Sequence, residues 1–171
     1  ESDGVHDFLA QVQRVGLGLD AAVVDVLDMA THPDISTARD AFRTSLDSGR
    51  SVTVFSGHSS SVVWAFRALV TPATVAGLTN GGLPTLMLPL ACETTFDISP
   101  TAEVLGHQLL YAGDQGAVAI SGAVSLASLD DNEKMAGHIL AGLEAGLTLG
   151  QAVQAGRQAL GGTYQVLQDN W

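Results

Sequence analysis

Short apolar runs punctuate the chain: Ala21–Leu27 (AAVVDVL), Ser51–Phe55 (SVTVF), Thr85–Leu90 (TLMLPL) and Ala117–Ser121 (AVAIS). Most are bounded by Gly, Pro or Asp, the residues that stop a strand. Their apolarity is continuous rather than alternating, which suits strands covered on both faces, as in a parallel sheet. Between them the spacing changes to that of a helix. Val5, Phe8, Leu9, Val12 and Val15 repeat every three or four residues, and so do Ile35, Ala38, Phe42 and Leu46. Ser36 is the expected cap of the second helix and Gly49 its stop. Thr71-Pro72 opens a short helix toward Leu78, with proline in the first turn where its missing N–H costs nothing. Further helices follow from Val104, Leu105, Gln108 and Leu109, and from Met135, Ile139, Leu140 and Leu143. Thr148-x-x-Gln151 is a capping-box pattern for the last one, through Val153 and Leu160. Alternating strands and helices predict an α/β fold with a mainly parallel sheet.

Composition narrows the partners. With 171 residues, 46% of them hydrophobic, the chain can bury the core of one domain. A net charge of −11, with one lysine and six arginines, opposes nucleic acid and anionic membrane, which both demand a cationic face. A basic peptide or a cationic ligand suits it better. No apolar run approaches the ~18 residues that span a bilayer. Neither a GxGxxG nor a P-loop pattern is present, and no His, Cys and acidic residues are spaced as in a zinc site.

Ligand sites in open parallel sheets lie beyond the carboxyl ends of the strands. Two chemically notable residues stand there. Phe55 is followed by Ser-Gly-His, which puts His58 at one strand end, and Leu90 by Ala-Cys, which puts Cys92 at another. If the two strands are neighbours, imidazole and thiol share one rim. A histidine can take the thiol's proton near neutral pH, and the two need only be close in space. Each residue also has a plainer reading, Cys92 as a small buried hydrophobe and His58 as a surface loop residue. His6 and His138 are expected on helices facing solvent, and His32 in a loop before proline. His107 follows Cys92 on a helix with nothing but sequence proximity to join it to the site. The Met and Trp residues read as core or loop packing.

The blocks SVTVFSGHSSSVVWAF, LTNGGLPTLMLPLACETTFD and LGHQLLYAGDQGAVAISGAV together resemble the gingipain-type cysteine peptidases, relatives of caspases and legumains. The resemblance runs from about Gly49 to Leu160. ACET is also similar to the CHAT peptidases, a sister group. The resemblance implies a caspase-like three-layer α/β/α sandwich and a cysteine endopeptidase with Cys92 as nucleophile and His58 as general base. The oxyanion would be held by the backbone amides of Cys92 and Ser59, the latter standing where the family usually has glycine. A carboxylate before the first helix, Asp3 or Glu1, would orient the histidine, although Asp3 equally suits a helix N-cap. Asp130 and Asp131, beyond the strand after the cysteine, are candidates for a pocket favouring basic side chains. They equally suit the first turn of a helix. The chemistry needs no cofactor, though structural calcium would suit so acidic a chain. The expected partners are a peptide or protein substrate and the remainder of a precursor. The family suggests a secreted or cell-surface bacterial setting. Residues 1–171 read as a single peptidase domain incomplete at both ends, with an unpaired sheet edge. The alternative is a catalytically silent binding or scaffold module on the same fold.

Overall fold

The computed structural model describes residues 6–17, 24–96 and 104–161. Three parallel strands form its sheet in the order β1 (Val52–Ser56), β2 (Thr85–Leu90) and β3 (Ala117–Ile120). In order along the chain, the helices are α1 (Phe8–Leu17), α2 (Ile35–Asp47), α3 (Pro72–Ala76), α4 (Leu105–Leu110), α5 (Leu129–Glu144) and α6 (Leu149–Leu160).

Successive side chains of a strand point to opposite faces, so the central strand feeds two cores. Met87, with Phe55 and Ala117, packs on Ala38, Phe42 and Leu46 of α2, Val75 of α3 and Leu105 and Leu109 of α4. Leu86, Leu88 and Leu90 pack on Val15 of α1, Met135, Ala136, Ile139 and Leu140 of α5 and Ala152 of α6. Two helical layers thus cover one sheet, and β2 is buried along its whole length. All three methionines and Trp64 lie in these cores, as expected.

β3 departs from simple alternation. Thr85 pairs with Ala117 but Leu86 with Ala119, so one residue, Val118, is extra. The bulge leaves Val118 67% exposed and turns Ala119 toward the α5–α6 core rather than the core that Ala117 joins.

Local capping is mostly where residue type puts it. Thr71 and Thr148 both form capping boxes, with Thr74 and Gln151. For α2 the cap is Asp34, not Ser36. Its carboxylate accepts from the Thr37 hydroxyl (2.6 Å) and amide (2.8 Å), and the hydroxyl bond above all holds that carboxyl below its ordinary range. Gly49 ends the element with φ +82°.

The strand expected at Ala21–Leu27 is corrected. Ala21, Ala22 and Val23 fall outside the described residues, and Val24–Leu27 is irregular, with Val24 and Val26 45% and 44% exposed. An apolar run becomes a strand only if a neighbour satisfies its N–H and C=O groups. Among the described residues no strand lies against the outer edge of β1, and a cavity of about 520 Å3 separates that edge from residues 24–28.

Two buried amides tie the sheet to its connections. The Asn80 side chain donates to the carbonyls of Gly116 (2.9 Å) and Leu83 (3.2 Å), and its oxygen accepts from Gly116 N–H (2.8 Å). It thereby fixes the entry to β3. Gln11 of α1 accepts from Ser56 Oγ at the end of β1 and donates to the Leu129 carbonyl at the start of α5 (2.7 Å). Removing Asn80 would leave the buried Gly116 N–H and the Leu83 carbonyl without their partner and the Gly116 carbonyl with the Thr85 N–H alone (3.3 Å), at roughly 1–3 kcal/mol for a fully buried group left unpaired. Asn80→Ala should therefore lower the unfolding free energy by about 3 kcal/mol, read as a lower urea midpoint at unchanged m-value. A loss under ~1 kcal/mol would show that water takes over these groups.

Candidate active site

Ser56 of β1 is in register with Leu90 of β2, and each strand end is followed by one small residue. The next positions, His58 and Cys92, therefore stand side by side in sequence register at the carboxyl edge of the sheet. Neighbouring strands run about 4.8 Å apart, so register alone brings the two loops into reach. The loops are also joined directly, because Ser59 Oγ donates to the Cys92 carbonyl. From the sequence, Ser59 is expected to offer only its backbone amide, at a position where the family usually has glycine. The hydroxyl has a bonding role, and Ser59 is not among the positive-φ residues.

The His58 side folds into a tight strap. Gly57 is buried under the Phe55 ring, where a Cβ would come within 2.9 Å of Cζ. Beyond His58, Ala65 N–H donates to the His58 carbonyl (2.8 Å), and Trp64 and Val70 exchange both backbone bonds (3.0 and 3.2 Å). Trp64, fully buried, stacks on Phe55 with centroids 5.4 Å apart and anchors the strap. Arg39 of α2 clamps it from below, donating to the carbonyls of Ala68 (2.7 Å) and Leu69 (3.4 Å). Ala65 and Ala68 nonetheless sit at φ +67° and +58°, a left-handed conformation that costs a non-glycine residue about 1–2 kcal/mol.

His58 is half-buried among rings. Phe66 stacks on it at 4.2 Å and 16° between planes, while Phe8 (5.1 Å, 79°) and His6 (5.6 Å, 82°) meet it edge-on. The expectation that His6 lies on a solvent-facing helix is thereby corrected. It precedes α1 and packs beside His58, because the buried Phe8 ring draws the chain against that loop. His138 is exposed on α5, as expected, and His107 packs near the Tyr111 ring. Among the described residues, no group of three or more His, Cys, Asp and Glu could hold a metal ion.

On the Cys92 side the thiol is half-buried and donates to the Ala127 carbonyl (3.6 Å). Glu93 adopts φ +54° and its N–H donates to Ser125 O (2.9 Å). Thr95 bonds Ala123 O through its amide (3.1 Å) and Gly122 O through its hydroxyl (2.9 Å). The segment after β3 thus wraps the cysteine loop. It can come so close only because residue 122 is glycine, since a Cβ there would collide with Thr94 Oγ1 and lie 2.8 Å from Pro89 Cγ. Among the described residues, neither the Ser59 nor the Cys92 amide has an acceptor, so both remain available as donors.

The remaining candidates divide. Glu1 and Asp3 fall outside the described residues. Asp130, three residues beyond Ala127, is exposed on the first turn of α5, and Asp131, four residues beyond it, takes the hydroxyl of Ser128, the helix cap. The neighbouring Glu133 is engaged by Arg14 of α1, whose guanidinium forks onto both carboxylate oxygens (2.7 Å each) and holds that carboxyl below its ordinary range. A thiol and an imidazole at adjacent strand ends, with two free amides beside them, can support thiolate attack on a carbonyl.

Known proteins share this fold. Among solved structures, the chain is similar to the complex of Porphyromonas gingivalis RgpB pro- and mature domains, with a TM-score of 0.67 and 18% identity over 96% of this chain and 40% of that one. It is similar also to the Arg specific cysteine proteinase gingipain R (RGPB), with a TM-score of 0.62 and 17% identity over 95% and 38%. It spans about two fifths of the length of those chains, and identities this low carry the fold alone: a caspase-like α/β/α sandwich. None of the curated proteins matches the chain. The sequence model of peptidase family C25 matches residues 7–170, a span that takes in both strand ends, the sheet between them and the helices on either face, and on that match the chain belongs to peptidase family C25.

Proposed function

We propose that the chain carries the catalytic pair of a cysteine endopeptidase, with Cys92 as nucleophile and His58 as general base. The observation that supports this reading is the shared register of the two residues beyond β1 and β2. In the reaction the Cys92 proton passes to His58 as Sγ attacks the scissile carbonyl. The amides of Ser59 and Cys92 hold the resulting oxyanion, each such donor being worth about 3 kcal/mol of barrier in comparable sites. The C–N bond then breaks, His58 gives its proton to the leaving amine, and a thioester remains on Cys92. Water, deprotonated by His58, hydrolyses it and frees the thiol. The carboxylate that orients His58 is Asp3 or Glu1. His6 and Phe8 lie against the imidazole, so residues 6–8 pass close to it.

The partners are a peptide or protein substrate and, as a second, the rest of a longer precursor. The outer edge of β1, unpaired among the described residues, and the cavity beside it support the latter, since an unpaired edge is a template for another strand. The competing reading, a silent module on this fold, draws on the Cys92 thiol donating to the Ala127 carbonyl, which suits a structural cysteine. Iodoacetamide separates the two: a structural thiol stays unlabelled at pH 6.5, and an activated one is alkylated stoichiometrically.

Cys92→Ala and His58→Ala should each reduce kcat/KM on a peptide substrate by at least ~1,000-fold with an unchanged circular dichroism spectrum. Residual activity near the parent value in either variant removes that residue from the pair.

Preference for a basic residue before the cleaved bond rests on Asp130 and Asp131. The segment ending at Ala127 borders the thiol, and Asp130 is exposed on the helical turn that follows. The related gingipain R is described as Arg specific. A charge-assisted bond to the substrate side chain is worth about 1.5–3 kcal/mol, so Asp130→Asn should lower turnover of an Arg peptide about ten- to a hundredfold relative to a Leu peptide. Asp131→Asn should do less, because its carboxylate already serves the Ser128 cap. Equal turnover of Arg, Lys, Asp and Leu peptides, or a basic preference that survives both substitutions, places the pocket elsewhere.

A further inference from the structure

Phe66 has no place in either core. It is 72% exposed, yet its ring lies flat on the His58 imidazole at 4.2 Å. The backbone that presents it is unfavourable on both sides, with Ala65 and Ala68 in the left-handed region. Such a conformation persists only where the surroundings over-determine it, and here they do. Trp64 is locked beneath Phe55, Arg39 holds the Ala68 and Leu69 carbonyls, and Ala65 is bonded back to His58 O. The result of this strain is an exposed aromatic face held against one side of one imidazole. The rings of Phe8 and His6 also meet this imidazole, their planes nearly perpendicular to it.

We propose that Phe66 is a positioning residue for His58, and the proposal rests on reading Cys92 and His58 as a catalytic pair. The stacked face confines the imidazole to one of the rotamers that a half-buried histidine would otherwise share, and so shortens the search for the thiol. The negative face of the phenyl ring also favours the imidazolium that forms when His58 takes the Cys92 proton. Phe8 and His6 add two further ring contacts that limit its rotation. Phe66 itself touches no proton in transit and acts only through His58.

The test is a double-mutant cycle on the rate at which iodoacetamide alkylates Cys92 at pH 6.5, with the thermal midpoint recorded for each variant. Phe66→Leu should slow alkylation about three- to tenfold, the size expected for one cation–π contact plus one lost rotamer restraint. Phe66→Tyr, which keeps the aromatic face, should restore the rate to within about twofold of the parent. In a His58→Ala background Phe66→Leu should have no further effect, because its only route to the thiol is gone. The midpoint should hold throughout, since the ring is outside the core. Phe66→Met provides the same comparison should leucine unsettle the strap. If Phe66→Leu and Phe66→Met alkylate at the parent rate while His58→Ala is slow, the proposal fails and the pair stands. The same holds if Phe66→Leu slows the reaction equally with and without His58. If His58→Ala alkylates like the parent, the pair itself fails, and the proposal with it.

Discussion

The parallel pairing of β1 with β2 is the constraint on which the rest depends. It sets Ser56 opposite Leu90 and thereby brings the two following loops to the same edge of the sheet. A slip of one residue would turn every side chain of a strand to the opposite face, moving the Leu86, Leu88 and Leu90 row out of the α5–α6 core. Register is thus fixed by burial on both faces, and the two loops at the strand ends inherit it. The Ser59 hydroxyl bond to the Cys92 carbonyl then fixes the loops to each other where the ladder stops.

Beyond the ladder the fold holds its loops by polar groups reaching up from the layers below. Arg39 of α2 grips the strap after His58, and Gln11 of α1 links the end of β1 to the start of α5. Asn80 does the same for the start of β3. These are buried or half-buried groups whose bonds bridge distant parts of the chain, so each is costly to break and restricts where a loop can lie. The left-handed residues gather where that restriction is greatest, at Ala65 and Ala68 beside His58 and at Glu93 beside Cys92. Relaxed backbone elsewhere in the sheet and helices offsets them, the usual division between a scaffold and the loops it positions.

The chain by itself determined what short-range physics controls. Apolar runs of four to six residues gave β1, β2 and β3, the 3.6-residue spacing gave the helices, Thr71-Pro72 the start of α3, and threonine three residues before glutamine the cap of α6. It also put His58 and Cys92 just past two strands, because the change from apolar to polar residues is visible locally. Tertiary structure decided everything that needs a neighbour. Val24–Leu27 has the composition of a strand but, among the described residues, pairs with none, a cavity holding it off the outer edge of β1. The bulge at Val118, the partners of Asn80 and Gln11, and the rings of His6, Phe8 and Phe66 around His58 join positions far apart in the chain or turn on a one-residue register. No periodicity records such contacts, since they arise only once the sheet has brought its two strand ends together.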